Sequence, residues 1–225
     1  MNVKDMLRQA SDAAKQLITL SDQTIIGILK ETAQVLRTHT EEVLAANRQD
    51  LERMDPANPK YDRLKLTEER LQGIAADMEN VSTLPSPLNK VLSETTRPNG
   101  MVIRKVTVPF GVIGVIYEAR PNVTFDVFSL CFRSGNVCVL KGGSDADFSN
   151  RALVRIIHSV LERQGINPAV CTLLPPDREA TAELLSGRRG WLNHSSWKQF
   201  LDSLRPGTRE SSGDRDWRWY LSYLF

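Results

Sequence analysis

The sequence predicts an α/β fold in which a parallel sheet is covered by helices on both faces. Residues 111–117 and 137–140 form two apolar runs rich in Val and Ile, a pattern typical of strands buried on both faces. Each run leads into a turn containing Gly or Pro and then into a helix-like segment, and residues 169–185 repeat that order. In such sheets ligands bind beyond the carboxyl ends of the strands. We therefore expect function in the turns at 118–124 and 141–147.

The segment before the sheet is predicted to be helical. Apolar residues recur at helical spacing from Met6 to Leu20, and again after Ser21 and Asp22, which can cap a second helix. A third helix is predicted from Glu41 to about residue 54, capped by Thr40, and a fourth covers about residues 67–81. These helices are expected to pack on the core, and no chemistry is assigned to them.

Residues 89–108 have a different pattern. Two runs rich in strand-forming residues lie on either side of R-P-N-G, which predicts an antiparallel hairpin apart from the parallel sheet. An exposed sheet edge is an aggregation hazard unless it is covered. A partner subunit is one way to cover it.

Beyond Gly187 the character of the sequence changes. All four tryptophans of the chain lie in this last segment, which has neither a helical nor a strand period. A C-terminal strand or helix would not show this pattern. The chain is therefore divided into an N-terminal domain, residues 1–187, and an aberrant tail, residues 188–225.

Charge and composition exclude several classes of protein. The tail holds seven Lys and Arg against four Asp and Glu, so the rest of the chain is nearly neutral and offers no basic footprint for nucleic acid. No apolar run approaches the roughly 20 residues that span a bilayer, and the first residues do not resemble a signal peptide. We expect a cytoplasmic protein that binds neither nucleic acid nor membrane.

Cysteine and histidine give no sign of a metal or nucleophilic site. The three cysteines are odd in number and lack C-x-x-C spacing, so neither a disulfide framework nor a metal site is predicted. They are expected to be small buried hydrophobic residues. The three histidines are scattered and match no catalytic triad.

The turn after the second strand is the more specific candidate site. Lys141 ends a buried strand and is followed by Gly142, Gly143, Ser144 and an incoming helix. The lysine can reach a ribose or phosphate oxygen, the glycines let a ligand approach the backbone, and the helix N-terminus favours an anion. Alternatively, the glycines only form the turn, and Ser144 with Asp147 forms a capping box. Both interpretations stay open on spacing alone.

The turn after the first strand, E-A-R-P-N-V-T, offers two polar side chains. Arg120 can bind a carboxylate or phosphate, and Asn122 is a neutral donor at the start of a helix, the kind of group that stabilises an oxyanion. Asn is also a common N-cap, and spacing alone favours that structural role.

Three stretches carry a resemblance: V-P-F-G-V-I-G-V-I-Y-E-A-R-P-N-V-T, G-N-V-C-V-L-K-G-G-S-D-A and L-L-P-P-D-R-E-A-T-A-E-L-L. They resemble the gamma-glutamyl phosphate reductase family, also called glutamate-5-semialdehyde dehydrogenase. The resemblance extends from residue 1 to about 186. It implies an aldehyde-dehydrogenase-like fold with a Rossmann-like NADP-binding domain, a catalytic domain and a β-flap at residues 89–108 that forms a homo-oligomer.

The resemblance also implies an activity. The family reduces L-glutamyl 5-phosphate with NADPH to L-glutamate 5-semialdehyde and phosphate in proline biosynthesis. A cysteine thiolate displaces the phosphate to form a thioester, which the cofactor then reduces. By position, Lys141 would hold the adenosine ribose and Asn122 would match the oxyanion asparagine. Ser144 stands where NAD-preferring relatives carry a carboxylate, so a 2′-phosphate would be tolerated there.

The tail departs from the family. Members continue with a segment similar to I-I-P-R-G-S, then V-I-E-T-G-A-G, and then a catalytic domain that holds the nucleophilic cysteine. Residues 213–225 can be encoded by bases that give V-I-E-T-G-A-G when read one nucleotide along, and residues 194–204 similarly allow I-P-R-G-S. We expect a frameshift near residue 187, which leaves a truncated chain without the catalytic domain and its cysteine.

Three interpretations of the chain's role follow. The first is a reductase-family product that keeps most of the cofactor domain and does not turn over. The second is a non-catalytic nucleotide-binding fragment that pairs with a full-length subunit through residues 89–108. The third is a remnant without function, because the sheet lacks its later strands and leaves an apolar edge.

Overall fold

The structure is a computed structural model that describes residues 2–186. The predicted aberrant tail, residues 188–225, lies outside the described residues.

Five helices precede the first strand. Three of them have an N-cap side chain that accepts a hydrogen bond from the backbone of the first turn. Asn2 accepts from the N–H of Asp5, Ser21 from the N–H of Thr24, and Thr67 from the N–H of Arg70. The cap at Ser21 confirms the sequence prediction, whereas the caps at Asn2 and Thr67 were not predicted. The helices are α1 (Val3–Leu17), α2 (Asp22–Thr38), α3 (Thr40–Glu52), α4 (Tyr61–Leu64) and α5 (Glu68–Thr83).

The predicted cap at Thr40 is wrong. Thr40 is the first residue of α3, His39 is its N-cap, and no side chain caps this end. The hydroxyl of Thr40 instead donates to the carbonyl oxygens of Leu36 and Arg37 at 3.3 and 3.0 Å. Because α2 and α3 are separated by a single residue, the threonine completes the end of α2 rather than the start of α3.

The predicted hairpin is present. Strand β1 (Val91–Thr96) pairs antiparallel with β2 (Val102–Val106), and every residue of both strands is exposed. Gly100 has a φ of 82°, in the left-handed region, and its N–H donates to the carbonyl of Arg97 at 2.9 Å to close the turn. This hairpin is a two-stranded sheet of its own.

The second sheet is parallel and has the order β3-β4-β5. Its central strand is buried along its whole length, as the apolar pattern predicted. A helix follows each strand, which confirms the α/β fold class. The elements are β3 (Val112–Ile116), α6 (Asn122–Arg133), β4 (Val137–Lys141), α7 (Asp147–Arg163), β5 (Cys171–Leu173) and α8 (Arg178–Ser186).

Helices cover both faces of the parallel sheet. The strand order advances in one direction, so right-handed crossovers put α6 and α7 on one face, where they contact each other and the sheet. Helix α1 packs on all three strands and contacts α8. A methyl group added at Gly114 of β3 would lie 2.9 Å from the side chain of Leu184, so α8 is seated directly on the strand.

A buried arginine on α6 links this helix to α2 and α5. Arg133 at the end of α6 is 1% exposed, forms an ion pair with Asp22, and donates from Nε to the carbonyl of Leu84 at 3.1 Å. One side chain thus joins the start of α2, the end of α5 and the end of α6. No helix within residues 2–186 has the length and apolarity needed to cross a membrane.

Candidate functional site

The two turns singled out in the sequence lie side by side at the carboxyl edge of the sheet. Ile116 at the end of β3 pairs with Lys141 at the end of β4, and the N–H of Tyr117 donates to the carbonyl of Lys141 at 3.1 Å. Beyond the strands, the Cα of Glu118 would lie 3.6 Å from a methyl group placed on Gly143. Side chains from both turns can therefore contact one ligand.

Lys141 presents a buried ammonium group with spare hydrogen-bonding capacity. The residue is 6% exposed, and its Nζ donates to the carbonyl of Gly142 at 2.9 Å. Within residues 2–186 the Nζ atom has no other hydrogen bond or ion pair. An ammonium group carries three donors, so two remain for a ligand. This is the donor set that ribose hydroxyl or phosphate oxygens would use.

The two glycines of this turn are required for different reasons. A methyl group on Gly142 would lie 2.3 Å from the Nδ2 atom of buried Asn150, so a larger residue there would force the Asn150 side chain to move. A methyl group on Gly143 would meet nothing closer than 3.6 Å. Only Gly143 fits the expectation that glycine leaves room for an approaching ligand.

Ser144 is exposed and begins a short 3₁₀ turn that runs to Ala146. Helix α7 starts at Asp147 without a side-chain cap from its own turn, so the predicted capping box of Ser144 and Asp147 does not form. The short 3₁₀ turn precedes the helix and moves Ser144 away from the N-cap position, which leaves its hydroxyl available.

The N-terminus of α7 is already occupied by a carboxylate of the protein. Asp50, buried on α3, accepts from the backbone N–H of Phe148 at 3.1 Å and from the N–H and hydroxyl of Ser149 at 2.8 and 2.6 Å. Desolvation raises the pKa of Asp50, while these hydrogen bonds oppose the rise. The carboxylate of Asp50 therefore takes the place at this helix end where an external anion was expected.

The turn after β3 brings a second group of polar side chains to the same edge. Ala119 has a φ of 42°, an uncommon value for a residue other than glycine. Arg120 is half-buried and makes no side-chain hydrogen bond or ion pair with residues 2–186. Its guanidinium is thus uncommitted in the part of the chain that the structure describes.

Asn122 is not the N-cap of α6. Pro121 holds that position and Asn122 is the first helical residue, so the structural alternative weighed for it is wrong. Its Nδ2 faces Asp126 one turn on, with 3.4 Å between Nδ2 and Oδ2. Burial, followed by the charge of Asp77, raises the pKa of Asp126 to about 7. Sequence reasoning missed Asp126, although its i+4 spacing from Asn122 was visible.

A salt-bridged lysine joins the two turns. Lys60, just before α4, lies 3.1 Å from a carboxylate oxygen of Glu118 and 3.8 Å from one of Asp145. The hydrogen bond with Glu118, followed by the charges of both carboxylates, raises the pKa of Lys60. No motif pointed to Lys60, because the contact joins segments that are far apart in the sequence.

The three cysteines are buried and free, as predicted. Burial raises the pKa of Cys131 well above its usual range, and the contact with Cys171 together with burial does the same for Cys138. Cys138 and Cys171 face each other across β4 and β5. Within residues 2–186 no cluster of His, Cys, Asp and Glu has the geometry to hold a metal ion.

Several curated proteins similar to this chain carry the same name. Gamma-glutamyl phosphate reductase of Parabacteroides distasonis is 99% identical over 185 residues, which are 82% of this chain and 45% of that protein. The gamma-glutamyl phosphate reductase of Azobacteroides pseudotrichonymphae is 63% identical over 183 residues, 81% of this chain and 44% of that protein. The chain spans a little under half the length of these curated relatives. No family model matches the chain.

Solved structures with a similar fold include another protein of the same name. Gamma-glutamyl phosphate reductase from Thermotoga maritima superposes with a TM-score of 0.82 at 28% identity, covering 90% of this chain and 51% of that one. A probable aldehyde dehydrogenase from Listeria monocytogenes has a TM-score of 0.65 at 16% identity, covering 91% and 44%. The second likeness concerns the fold alone, which is that of the aldehyde dehydrogenases.

Proposed function

We propose that this chain carries the NADPH-binding part of a gamma-glutamyl phosphate reductase, because it is 99% identical to one such protein over 185 residues. The whole protein would reduce L-glutamyl 5-phosphate to L-glutamate 5-semialdehyde and phosphate, a step of proline biosynthesis in the cytoplasm. The observation that carries the proposal is the buried ammonium of Lys141, which retains two donors at the carboxyl edge of the sheet.

The cofactor's adenosine end is assigned to the turn after β4. Lys141 would donate to the ribose hydroxyls, Gly143 would allow close approach to the backbone, and the neutral Ser144 would tolerate a 2′-phosphate. Gly142 would shape the turn without touching the ligand, because its hydrogen atom faces Asn150. When bound, the nicotinamide would supply the reducing equivalent of the reaction.

The substrate end is assigned to the turn after β3. An Asn carboxamide has two N–H donors, and the contact of Asn122 with Asp126 uses at most one of them. The other would stabilise an oxyanion in the whole protein. Arg120, uncommitted within the described residues, would bind a carboxylate or phosphate of the substrate.

We propose that this chain does not itself turn over. Acyl transfer to a cysteine needs an accessible thiolate, whereas burial keeps the thiols of Cys131 and Cys138 protonated and Cys171 is fully buried. The change in composition after residue 187 supports a shifted reading frame from about that point. Sequencing the gene would test this, and an unshifted frame across that point would refute it.

The hairpin supports a second, non-catalytic role as a fragment that pairs with another subunit. Residues 89–108 would form the oligomerisation flap, because large apolar side chains lie exposed on both of its strands. The partner would be another copy of this chain or a full-length reductase. Co-purification with an intact reductase would favour the second role over a remnant without function.

Thermal unfolding of the purified chain, with and without saturating NADPH, tests the proposal directly. A ligand that binds only the folded state adds about 2.7 kcal/mol at one hundred times its dissociation constant. A raised midpoint without NADPH oxidation in the presence of glutamyl phosphate is the expected result. An unchanged midpoint would contradict cofactor binding and favour the remnant. Turnover would contradict the proposed loss of the nucleophile.

A further inference from the structure

A cleft of about 190 Å³ opens beside Ser144, between the end of α3 and the turn after β4. The residues that line it come from both sides and include Asp50, Arg53, Met54 and Asn58 from the α3 side, and Ser144 and Asp145 from the turn. Ser144 lines this cleft and belongs to the same turn as Lys141, so the cleft would lie on the Ser144 side of the place proposed for the adenosine ribose.

The carboxylates of this cleft are already engaged. Asp50 accepts three hydrogen bonds from the first turn of α7. Asp145 lies 3.8 Å from the ammonium of Lys60, which offsets its charge. Asp55 accepts from the backbone N–H of Ala57 at 2.9 Å within its own turn. Asp50 thus has its acceptor sites occupied, while Asp55 and Asp145 keep negative charge at the cleft, so an anion bound there needs a cation to hold it against them.

Arg53 lines the cleft with a guanidinium that has no ion-pair partner among residues 2–186. Its guanidinium carbon lies 5.4 Å from the ring centroid of Phe148, in a cation–π contact. The guanidinium makes no hydrogen bond or ion pair with any residue between 2 and 186. Stacking on an aromatic ring orients the guanidinium plane without neutralising it, so its N–H groups remain available to pair with two oxygens of one anion.

We propose that Arg53 is a specificity-determining residue that binds the 2′-phosphate of NADPH in this cleft, an inference that rests on the proposed function. The phosphate on the adenosine ribose is the group that distinguishes NADPH from NADH. A ribose held by Lys141 would direct that phosphate past the neutral Ser144 toward the cleft. A guanidinium presents the fork that matches a phosphate in two hydrogen bonds.

Two nucleotides that differ in one phosphate isolate this contact. Titration calorimetry of the full chain would compare 2′,5′-ADP, which carries the 2′-phosphate, with 5′-AMP, which lacks it. The variant Arg53→Gln is expected to weaken 2′,5′-ADP binding by about tenfold and to leave 5′-AMP binding unchanged. Arg53→Lys should fall between, because it keeps the charge and loses the fork.

The matched control is Arg48→Gln, which removes the same charge from the exposed face of α3 outside the cleft. It should bind both nucleotides as the unaltered chain does. Equal losses for Arg48→Gln and Arg53→Gln would mean that general electrostatics act, and would overturn the inference. If Arg53→Gln lowers the affinity for 2′,5′-ADP and for 5′-AMP equally, the arginine contacts the adenosine rather than the 2′-phosphate. That result also overturns the inference.

A variant on the other side of the cleft gives an independent readout. Ser144→Glu brings a carboxylate toward the same phosphate and should weaken 2′,5′-ADP more than 5′-AMP. If the unaltered chain binds 2′,5′-ADP and neither Arg53→Gln nor Ser144→Glu changes the preference, the inference about Arg53 alone fails. If the unaltered chain binds neither NADPH nor NADH, the proposed function fails and the inference with it.

Discussion

The carboxylate of Asp50 on α3 accepts both the backbone N–H and the hydroxyl of Ser149 in the first turn of α7. A helix N-terminus next to a nucleotide site is an obvious place for a phosphate. Here an internal carboxylate already satisfies the exposed N–H groups. Under the proposed function, recognition of an anionic cofactor would therefore depend on cations around the turn, chiefly Lys141 and Arg53, rather than on the end of this helix.

Replacing Asp50 with alanine should destabilise the fold. Three donors of Phe148 and Ser149 would lose their acceptor, and leaving a buried donor unsatisfied costs about 1–3 kcal/mol. Urea unfolding should report this loss. Asp55→Ala is the control, since that exposed residue bonds only within its turn and should change stability by less than about 0.5 kcal/mol. Equal stability of the two variants would contradict the role of Asp50.

Alanine at Gly142 should lower the free energy of unfolding, whereas alanine at Gly143 should leave it nearly unchanged. At Gly142 the added methyl group would meet Asn150 at 2.3 Å, and such overpacking costs about 1–3 kcal/mol. At Gly143 the methyl group has room and the backbone φ is −75°, so stability should change by less than about 0.5 kcal/mol. Urea unfolding measures both variants.

The same two variants separate stability from binding. Gly143→Ala should weaken NADPH binding in calorimetry while the urea midpoint stays unchanged, because its methyl group would point to the space proposed for the ligand. Gly142→Ala should instead lower the urea midpoint, so any change in its NADPH binding would follow from reduced stability. Unchanged NADPH affinity in Gly143→Ala would argue that the cofactor does not approach this turn.

Strands, hairpin and helices could be predicted because their signals are local. The buried run ending at Lys141 and the Pro-Asn-Gly turn each depend on neighbouring residues alone. The site was predictable only in part. Asp50, Arg53 and Lys60 reach it from the N-terminal helices, and no sequence spacing connects them with residues 118–145. The role of Gly142 also depended on a distant side chain, that of Asn150.

Asp126 should make the stability of the fold depend on pH. Burial raises its pKa from 3.8 to about 7 in the folded chain, so the folded state binds this proton more tightly than the unfolded state. The associated stability is present below about pH 4 and is lost as pH rises through about 7. Since a tenfold difference in proton affinity corresponds to about 1.4 kcal/mol, the loss should reach a few kcal/mol.

Comparison with Asp126→Asn isolates this group. Free energies of unfolding in urea at pH 5 and pH 8 should differ less in the variant than in the unaltered chain, because the amide does not ionise. Asp12→Asn is the control, since exposed Asp12 has a lowered pKa and should leave the difference intact. A parallel decline of Asp126→Asn and the unaltered chain would show that other groups cause the pH dependence.

The exposed hairpin leads to a prediction about assembly. Its apolar side chains include Ile103 and Val106, and two residues that follow it, Val108 and Phe110, are 71% and 63% exposed. A two-stranded hairpin is marginally stable in water on its own, and its open edges invite pairing with another strand. Sedimentation should therefore show a dimer or larger assembly. The double variant Ile103→Lys, Val106→Lys should weaken association by at least about one hundredfold, since each buried aliphatic side chain contributes about 1.5–3 kcal/mol.

Lys105→Ser provides the control, because it changes the charge of the same strand and leaves its apolar surface intact. It should sediment as the unaltered chain does. Thermal unfolding with NADPH gives a second readout, since the hairpin is a separate sheet from the one that carries Lys141. The double variant should keep its NADPH-induced stabilisation while it dissociates. Retention of the assembled state in the double variant would show that subunits meet through another surface, and the hairpin would then need a different explanation for its exposed apolar residues.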